Sequence, residues 1–337
     1  MEVTFIMPVY NAVAFLEDSI NSLFNQSNKN WRLICVDDGS TDNSKELLEV
    51  FASRDSRITV LSKSNGGAGA ARAFAIQYVK TEYLAILDAD DTVSPDYVET
   101  FIDNCEDTLD IYIPNVKCVD EKNNVELLNH FDRNDLRAGM KIMNKQLAFE
   151  WGIEWKLVSW NILKTEFAKR NYLLQYVDYS RYNSDEYISR YLCYKANGIK
   201  LLPCIYYYKS VPTSTTRKLS PLFFDRLLTY EKLLLFCIEE KMDDRIIYKV
   251  YETYRGFING ALLLNYKEFS GEYVDVIKSS YRRCVRKNFK IAFWKHAGFK
   301  SIFKDIFVLS SFNAIRLLAY LKFVCNRNMC IIKSKNE

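Results

Sequence analysis

Three carboxylates fall within four residues at Asp88-Ala89-Asp90-Asp91, directly after the apolar run 83–87. That much like charge at the end of a short buried strand is costly unless something cationic sits there. A divalent ion with oxygen ligands suits such a site, most often Mg²⁺ or Mn²⁺ carrying a substrate's phosphates. The competing reading is a solvated acidic turn, with Asp91 or Thr92 starting the helix expected after Pro95. Three other polar clusters accompany this one: Pro8-Val9-Tyr10-Asn11, Asp37-Asp38-Gly39-Ser40 and Asn65-Gly66-Gly67.

The elements that carry these clusters alternate. Residues 3–7, 31–36, 58–61 and 83–87 read as short apolar strands. Between them lie helical patterns: 12–26 with Phe15, Ile20, Leu23 and Phe24, a second with Leu47, Leu48 and Phe51, and the small-residue run 68–79. Alternation of this kind predicts an α/β fold with a mostly parallel central sheet flanked by helices. Ligands of such sheets bind beyond the carboxyl ends of the strands. Every polar cluster follows a strand on that side, so all four converge on one edge, and the balance moves toward a metal-assisted site.

After Pro95 the alternation fades. Residues 111–119 read as a strand, with Pro114 marking an edge or a bulge, and 122–136 as a loop. Trp151, Trp155 and Trp160 are either core packing or a wall for a sugar or apolar acceptor. Asp185 and Glu186 open a helical segment reaching Lys195. Residues 201–208 form a further strand whose Tyr206, Tyr207 and Tyr208 alternate faces, and from Pro221 the chain turns helical.

The whole chain sets bounds. Its 337 residues suffice for two domains. Nine scattered cysteines without a Cys-x-x-Cys pair point to reduced, buried thiols and not to a disulfide or zinc framework. His130 and His296 have no partner at metal-ligand spacing. No basic region precedes the first apolar stretch, so no secretory leader is expected, and no unbroken apolar run approaches a membrane span. The net charge of +4 hides a split: from Lys278 onward 14 Lys and Arg face two acids, leaving the rest of the chain at −8. Within that basic end, Ile302, Phe303, Ile306 and Leu309 fall at helical spacing beside Lys300 and Lys304. Such a helix suits an anionic membrane surface, where each nearby Lys or Arg contributes about 1 kcal/mol. A helical cap on the catalytic domain is the alternative. Nucleic acid is disfavoured because the apolar component is large and no nucleic-acid module is present.

The set Phe5-Ile6-Met7-Pro8-Val9-Tyr10-Asn11, Val36-Asp37-Asp38-Gly39-Ser40-Thr41-Asp42, Asn65-x-Gly67-x-x-x-Ala71-Arg72 and Leu87-Asp88-Ala89-Asp90-Asp91 resembles the family 2 glycosyltransferases of GT-A fold. Order and spacing agree, and Leu16, Ser22 and Gln26 match the usual first helix. The resemblance is strong to about residue 100, weaker to about 216, and absent beyond. It implies a uridine diphosphate sugar as donor. Pro8 and Tyr10 would border the uracil, with Asp38 accepting from its ring nitrogen. Asn65 and Arg72 would lie on the donor side, Asp88 at the ribose, and Asp90 on a Mn²⁺ or Mg²⁺ ion. An inverting member needs a general base, for which Asp185 stands in the family's place with Glu186 as rival. Ser184 replaces the usual Glu there, and Ala73 replaces a common Asn.

The expectation is therefore a GT-A domain over residues 1–217, its nucleotide-sugar half at 1–100 and its acceptor half at 101–217. A helical, basic-amphipathic region follows at 218–337. The expected enzyme is an inverting hexosyl- or N-acetylhexosaminyl-type transferase acting on a glycan or lipid-linked acceptor in bacterial surface-polysaccharide synthesis. It would be cytoplasmic and peripheral on the inner face of the membrane. The alternatives are a catalytically degenerate scaffold and a nucleotidyltransferase, although the latter would carry a Gly-rich basic loop where Pro8-Val9-Tyr10-Asn11 stands.

Overall fold

A computed structural model describes residues 1–120, 125–127, 139–154, 156–157, 159–175, 184–210, 221–269 and 272–282. The basic end from 283 onward, His130, His296 and Trp155 lie outside the described residues.

Among the described residues ten strands and ten α-helices follow in chain order. The first half runs β1 Val3–Val9, α1 Val13–Phe24, β2 Trp31–Asp37, α2 Ser44–Arg54, β3 Ile58–Ser62, α3 Ala68–Ile76, β4 Tyr83–Ile86, β5 Thr92–Val93 and α4 Tyr97–Asn104. Then come β6 Ile111–Val119, β7 Val125–Leu127, β8 Lys141–Ile142, α5 Lys145–Ile153, β9 Ile162–Lys164, α6 Thr165–Gln175, α7 Ser184–Lys195 and β10 Ile199–Lys209. The last helices are α8 Arg226–Glu239, α9 Asp244–Glu268 and α10 Val274–Tyr281.

All ten strands form one sheet with the path β3-β2-β1-β4-β9-β6-β10-β5, while β7 pairs with β6 and β8 with β10. The β3-β2-β1-β4 half is parallel throughout, as is the long β6–β10 pair. The antiparallel contacts are short, two or three residue pairs each. Phe5, Ile6, Met7, Leu33, Val36, Tyr83, Leu84 and Ala85 are buried, the near-continuous apolar run that a strand covered on both faces requires. Helix α3 packs on β1 and β2 through Ala71, Ala73, Ala75 and Ile76, where small side chains allow close approach.

Three short strands, β5, β8 and β9, had no sequence signal. β9 slots antiparallel between β4 and β6, and β5 pairs with the end of β10. Three and two residues are too few for a periodicity to register. β7 lies inside the segment read as a loop. Pro114 stands opposite Leu202, beside a register shift in the β6–β10 pair, so the bulge reading of that proline holds. The sequence reading that Asp91 or Thr92 starts the next helix does not hold. The residue before α4 is Asp96, while Asp91 is fully buried and Thr92 lies in β5.

The chain divides into two compact units, Met1–Lys218 and Leu219–Glu337. The described part of the second is helical. α8, α9 and α10 share an interior that includes Leu233, Tyr251, Tyr254, Leu262 and Ile277, and Asp243 caps α9 by accepting from the Arg245 N–H at 2.8 Å. Among the described residues no helix is long and apolar enough to cross a membrane, and the six described cysteines form no disulfide.

Candidate active site

The loop after β1 is sewn to the loop after β2. Asn11 takes a positive φ of 49°, a conformation Asn tolerates better than most residues. Its Oδ1 accepts from the Thr41 N–H at 2.7 Å, and its own N–H donates to Ser40 Oγ at 3.1 Å. The Ala12 N–H donates to Ser44 Oγ at 2.8 Å. This leaves Pro8 half-buried at the strand end and Tyr10 52% exposed beyond it, a ring surface open to a ligand.

Asp38 is buried at the end of β2, yet it is well supplied with donors. Lys63 Nζ donates to Oδ1 at 2.7 Å, the Gly66 N–H reaches both oxygens at 3.0 and 3.1 Å, and the Gly67 N–H donates to Oδ2 at 2.7 Å. Asn65 Nδ2 donates to the Asp38 carbonyl at 3.0 Å. Gly67 needs its glycine, since its φ of 87° with ψ 163° lies where side chains are strained. In this arrangement the carboxylate shapes the Asn65–Gly67 turn, and Lys63, which also donates to the Ser64 carbonyl at 2.6 Å, is the side-chain donor on it among the described residues. Lys63 drew no notice in the sequence because a lysine two residues before a glycine turn is an ordinary surface pattern.

The three carboxylates after β4 are separated by their partners. Asp88 Oδ1 accepts from Arg72 Nη2 at 2.5 Å and Oδ2 accepts from Trp160 Nε1 at 2.9 Å. Asp91 Oδ2 accepts from the Tyr206 hydroxyl at 2.7 Å and Oδ1 from the Lys209 N–H at 2.8 Å. The Tyr206 oxygen in turn accepts from the Asp88 N–H at 3.0 Å. Asp90, half-buried, takes no hydrogen bond or ion pair on its carboxylate from another side chain among the described residues; only its own backbone N–H and the more distant charges of Lys209 and Arg72 favour its ionised form. Burial, and then the charge of Asp88, push Asp90 up to about 6. Burial, with Asp88 and Asp90 behind it, also pushes Asp91 well above the usual carboxylate range.

Arg72 joins this cluster to the second half of the unit. Burial works against its charge, but Asp88, Tyr172 and Asp185 outweigh burial and hold the guanidinium above its ordinary pKa. Burial raises the Tyr172 phenol; Arg72, its hydrogen-bond partner, opposes that shift. Asp185, half-buried in the first turn of α7, thus shares an electrostatic neighbourhood with Asp88 through Arg72. Glu186 is buried and pairs with Arg190 at 3.7 Å one turn further on.

The sequence offered Trp160 as core packing or an acceptor wall and Tyr206 as one of three tyrosines alternating along a strand, with no tie to the acidic turn for either. Trp160 stacks on Tyr206 with centroids 5.3 Å apart and lies 5.0 Å from Tyr208, so the two outer tyrosines of the run share its side of the sheet. Its N–H on Asp88 spans 72 positions of chain, and the Tyr206–Asp91 bond spans 115. Separations of that size leave no local pattern.

A divalent ion fits this donor set in one way. Among the described residues no three His, Cys, Asp or Glu side chains form a metal cage. Asp90 offers a carboxylate with no side-chain partner among those residues, and Mg²⁺ or Mn²⁺ commonly binds through one or two carboxylates with substrate phosphates completing the shell.

Comparisons with known proteins bear on this geometry. Residues 4–157 match the family model described as glycosyl transferase family 2. Glycosyltransferase GlyG of Streptococcus pneumoniae serotype 4 is 36% identical over 121 residues, covering 35% of this chain and 40% of that protein. Putative teichuronic acid biosynthesis glycosyltransferase TuaG of Bacillus subtilis is 39% identical over 98 residues, covering 29% and 39%. The alignments thus span about two fifths of these relatives' own length. In structure, S. aureus TarS 1-349 in complex with UDP-GlcNAc superposes with a TM-score of 0.71 at 16% identity, covering 95% of this chain and 89% of that one. GalNAc-T7 with UDP, GalNAc and Mn²⁺ gives 0.52 at 12% identity, covering 68% and 48%. At such identities a likeness speaks to fold alone. Residues 4–157, just under half of the chain, thus match glycosyl transferase family 2, and the α/β fold is of the GT-A type.

Proposed function

We propose that the chain transfers a sugar from a uridine diphosphate sugar to a hydroxyl of a glycan or lipid-linked acceptor, with inversion at the anomeric carbon. The observation that carries this reading is the division of the acidic triplet. Both oxygens of Asp88 and of Asp91 are hydrogen-bonded, whereas among the described residues Asp90 has no side-chain partner, and burial with the charge of Asp88 raises its pKa. A Mg²⁺ or Mn²⁺ ion bound there with the donor diphosphate would neutralise charge on the departing uridine diphosphate.

The chain's own residues supply the rest. Pro8 and Tyr10 border the uracil and Asp38 accepts from its ring nitrogen, with Lys63 the donor best able to move aside. Asn65 and Arg72 lie on the donor side, and Asp88, held by Arg72 and Trp160, faces the ribose. Asp185 takes the proton from the acceptor hydroxyl as its oxygen bonds to the anomeric carbon and uridine diphosphate leaves. A base of this kind contributes on the order of 10²–10⁴ in rate. The burial of Glu186 against Arg190 favours Asp185 for that task.

N-acetylglucosamine is the first sugar to try, because TarS, close in fold, is known in complex with UDP-GlcNAc. The names of TuaG and its kin support a bacterial surface polysaccharide as product. Residues 1–217 would be the transferase domain, with the nucleotide half at 1–100 and the acceptor half at 101–217. The region 218–337 would hold the chain, through its basic end, on the inner face of the cell membrane. The test is uridine diphosphate release from a panel of UDP-sugars, with a thermal shift by UDP and Mn²⁺ beside it. Release requiring Mn²⁺ or Mg²⁺ is expected. No release from any donor together with no shift would overturn the reading and favour a degenerate scaffold.

A further inference from the structure

We propose that Trp160 is a positioning residue for the donor site: its indole N–H holds Asp88 in place and keeps that carboxylate from turning toward Asp90. This inference rests on the transferase reading above. Asp88 has two oxygens and two charge-relevant donors, Arg72 Nη2 on one and Trp160 Nε1 on the other. With both bonds made, its rotamer is determined. Removal of the indole N–H frees Oδ2, and a half-exposed carboxylate with a free oxygen can swing. The nearest reason to swing is the cation expected at Asp90, two residues away.

Trp160 is itself placed by packing and has little freedom. Its ring lies on Tyr206 at an interplanar angle of 21° and beside Tyr208 at 35°. Both tyrosines belong to β10, and Tyr206 is anchored by the bond from its hydroxyl to buried Asp91. Rigid strand and buried carboxylate therefore fix the indole, and the indole fixes Asp88. This is the arrangement by which a supporting side chain sets the geometry of one that meets the ligand.

Loss of the bond lets Asp88 leave its ligand-ready position, so UDP binding should weaken by about tenfold, which is about 1.4 kcal/mol. The experiment measures UDP affinity in the presence of Mn²⁺ for four full-length chains: unaltered, Trp160→Phe, Asp88→Asn and the double variant. Trp160→Phe is expected to weaken UDP about tenfold while kcat at saturating donor changes less. In the Asp88→Asn background the same change is expected to have little further effect, because the partner it acts through is already altered. Replacement of Trp160 by benzothienylalanine, which keeps the bicyclic shape and removes only the N–H, serves as the second variant where phenylalanine disturbs packing. It should reproduce the loss. Unchanged affinity in the benzothienylalanine chain, or an equal loss with and without the Asp88 carboxylate, would overturn this inference alone. Failure of the unaltered chain to bind UDP would sink the transferase reading and this inference with it.

Discussion

The Tyr206 hydroxyl donates to Asp91 Oδ2 at 2.7 Å inside the first unit, and its oxygen accepts from the Asp88 N–H at 3.0 Å. One phenol thus ties the end of β10 to both ends of the acidic turn. Asp91 is an acid with no access to solvent, and its role is to anchor that turn and not to meet a ligand.

Tyr206→Phe should therefore cost stability well beyond one ring hydroxyl. It strands an oxygen of a buried carboxylate and leaves the Asp88 N–H without its partner, a loss of about 1–3 kcal/mol. Chemical denaturation should show a lower midpoint with an unchanged slope. UDP affinity should also fall, since Asp88 sits on the loosened turn. A variant as stable as the unaltered chain would show that the bond contributes nothing net.

Asp90→Asn should stabilise the chain at pH 7.5 when neither metal nor nucleotide is present. A carboxyl whose folded pKa is raised from 3.8 to about 6 binds its proton more tightly when folded. Its ionised form therefore lowers stability, by an amount that is absent below the ordinary pKa and complete above the folded one. The advantage of the asparagine should shrink as pH falls from 6 toward 4, read as the difference in Tm between the two chains. With Mn²⁺ and UDP added at pH 7.5 the order should reverse, because only the aspartate gains the ion.

Asp185→Asn should lower the transfer rate by about 10²–10⁴. UDP affinity should stay within about twofold, because the base meets the acceptor and not the nucleotide. Single-turnover rates and UDP titration separate the two effects. Undiminished turnover would remove Asp185 from the reaction, and Glu186→Gln would then be the variant to measure.

Removal of residues 299–337 should abolish pelleting with vesicles that contain anionic lipid, and raised salt should weaken pelleting of the full chain. Equal pelleting of the two chains would take this segment out of membrane docking.

Much of the first half could be read from the chain alone. The strands 3–7, 31–36, 58–61 and 83–87 and the helices between them are local patterns. The rule that ligands gather beyond the carboxyl ends of parallel strands placed Pro8, Asp38, Asn65 and Asp88 on one edge before any coordinates. The short strands β5, β8 and β9 escaped, since two or three residues carry no period. The acidic triplet is where sequence and tertiary structure part. Composition announced that Asp88, Asp90 and Asp91 needed partners, but all three are the same residue type, and spacing could not apportion the partners. Only folding brought Arg72 from α3, Trp160 from before β9 and Tyr206 from β10 to that turn. Which carboxylate lacks a side-chain partner among the described residues depends on contacts across 16, 72 and 115 positions of chain, and such contacts exist only once the sheet has formed.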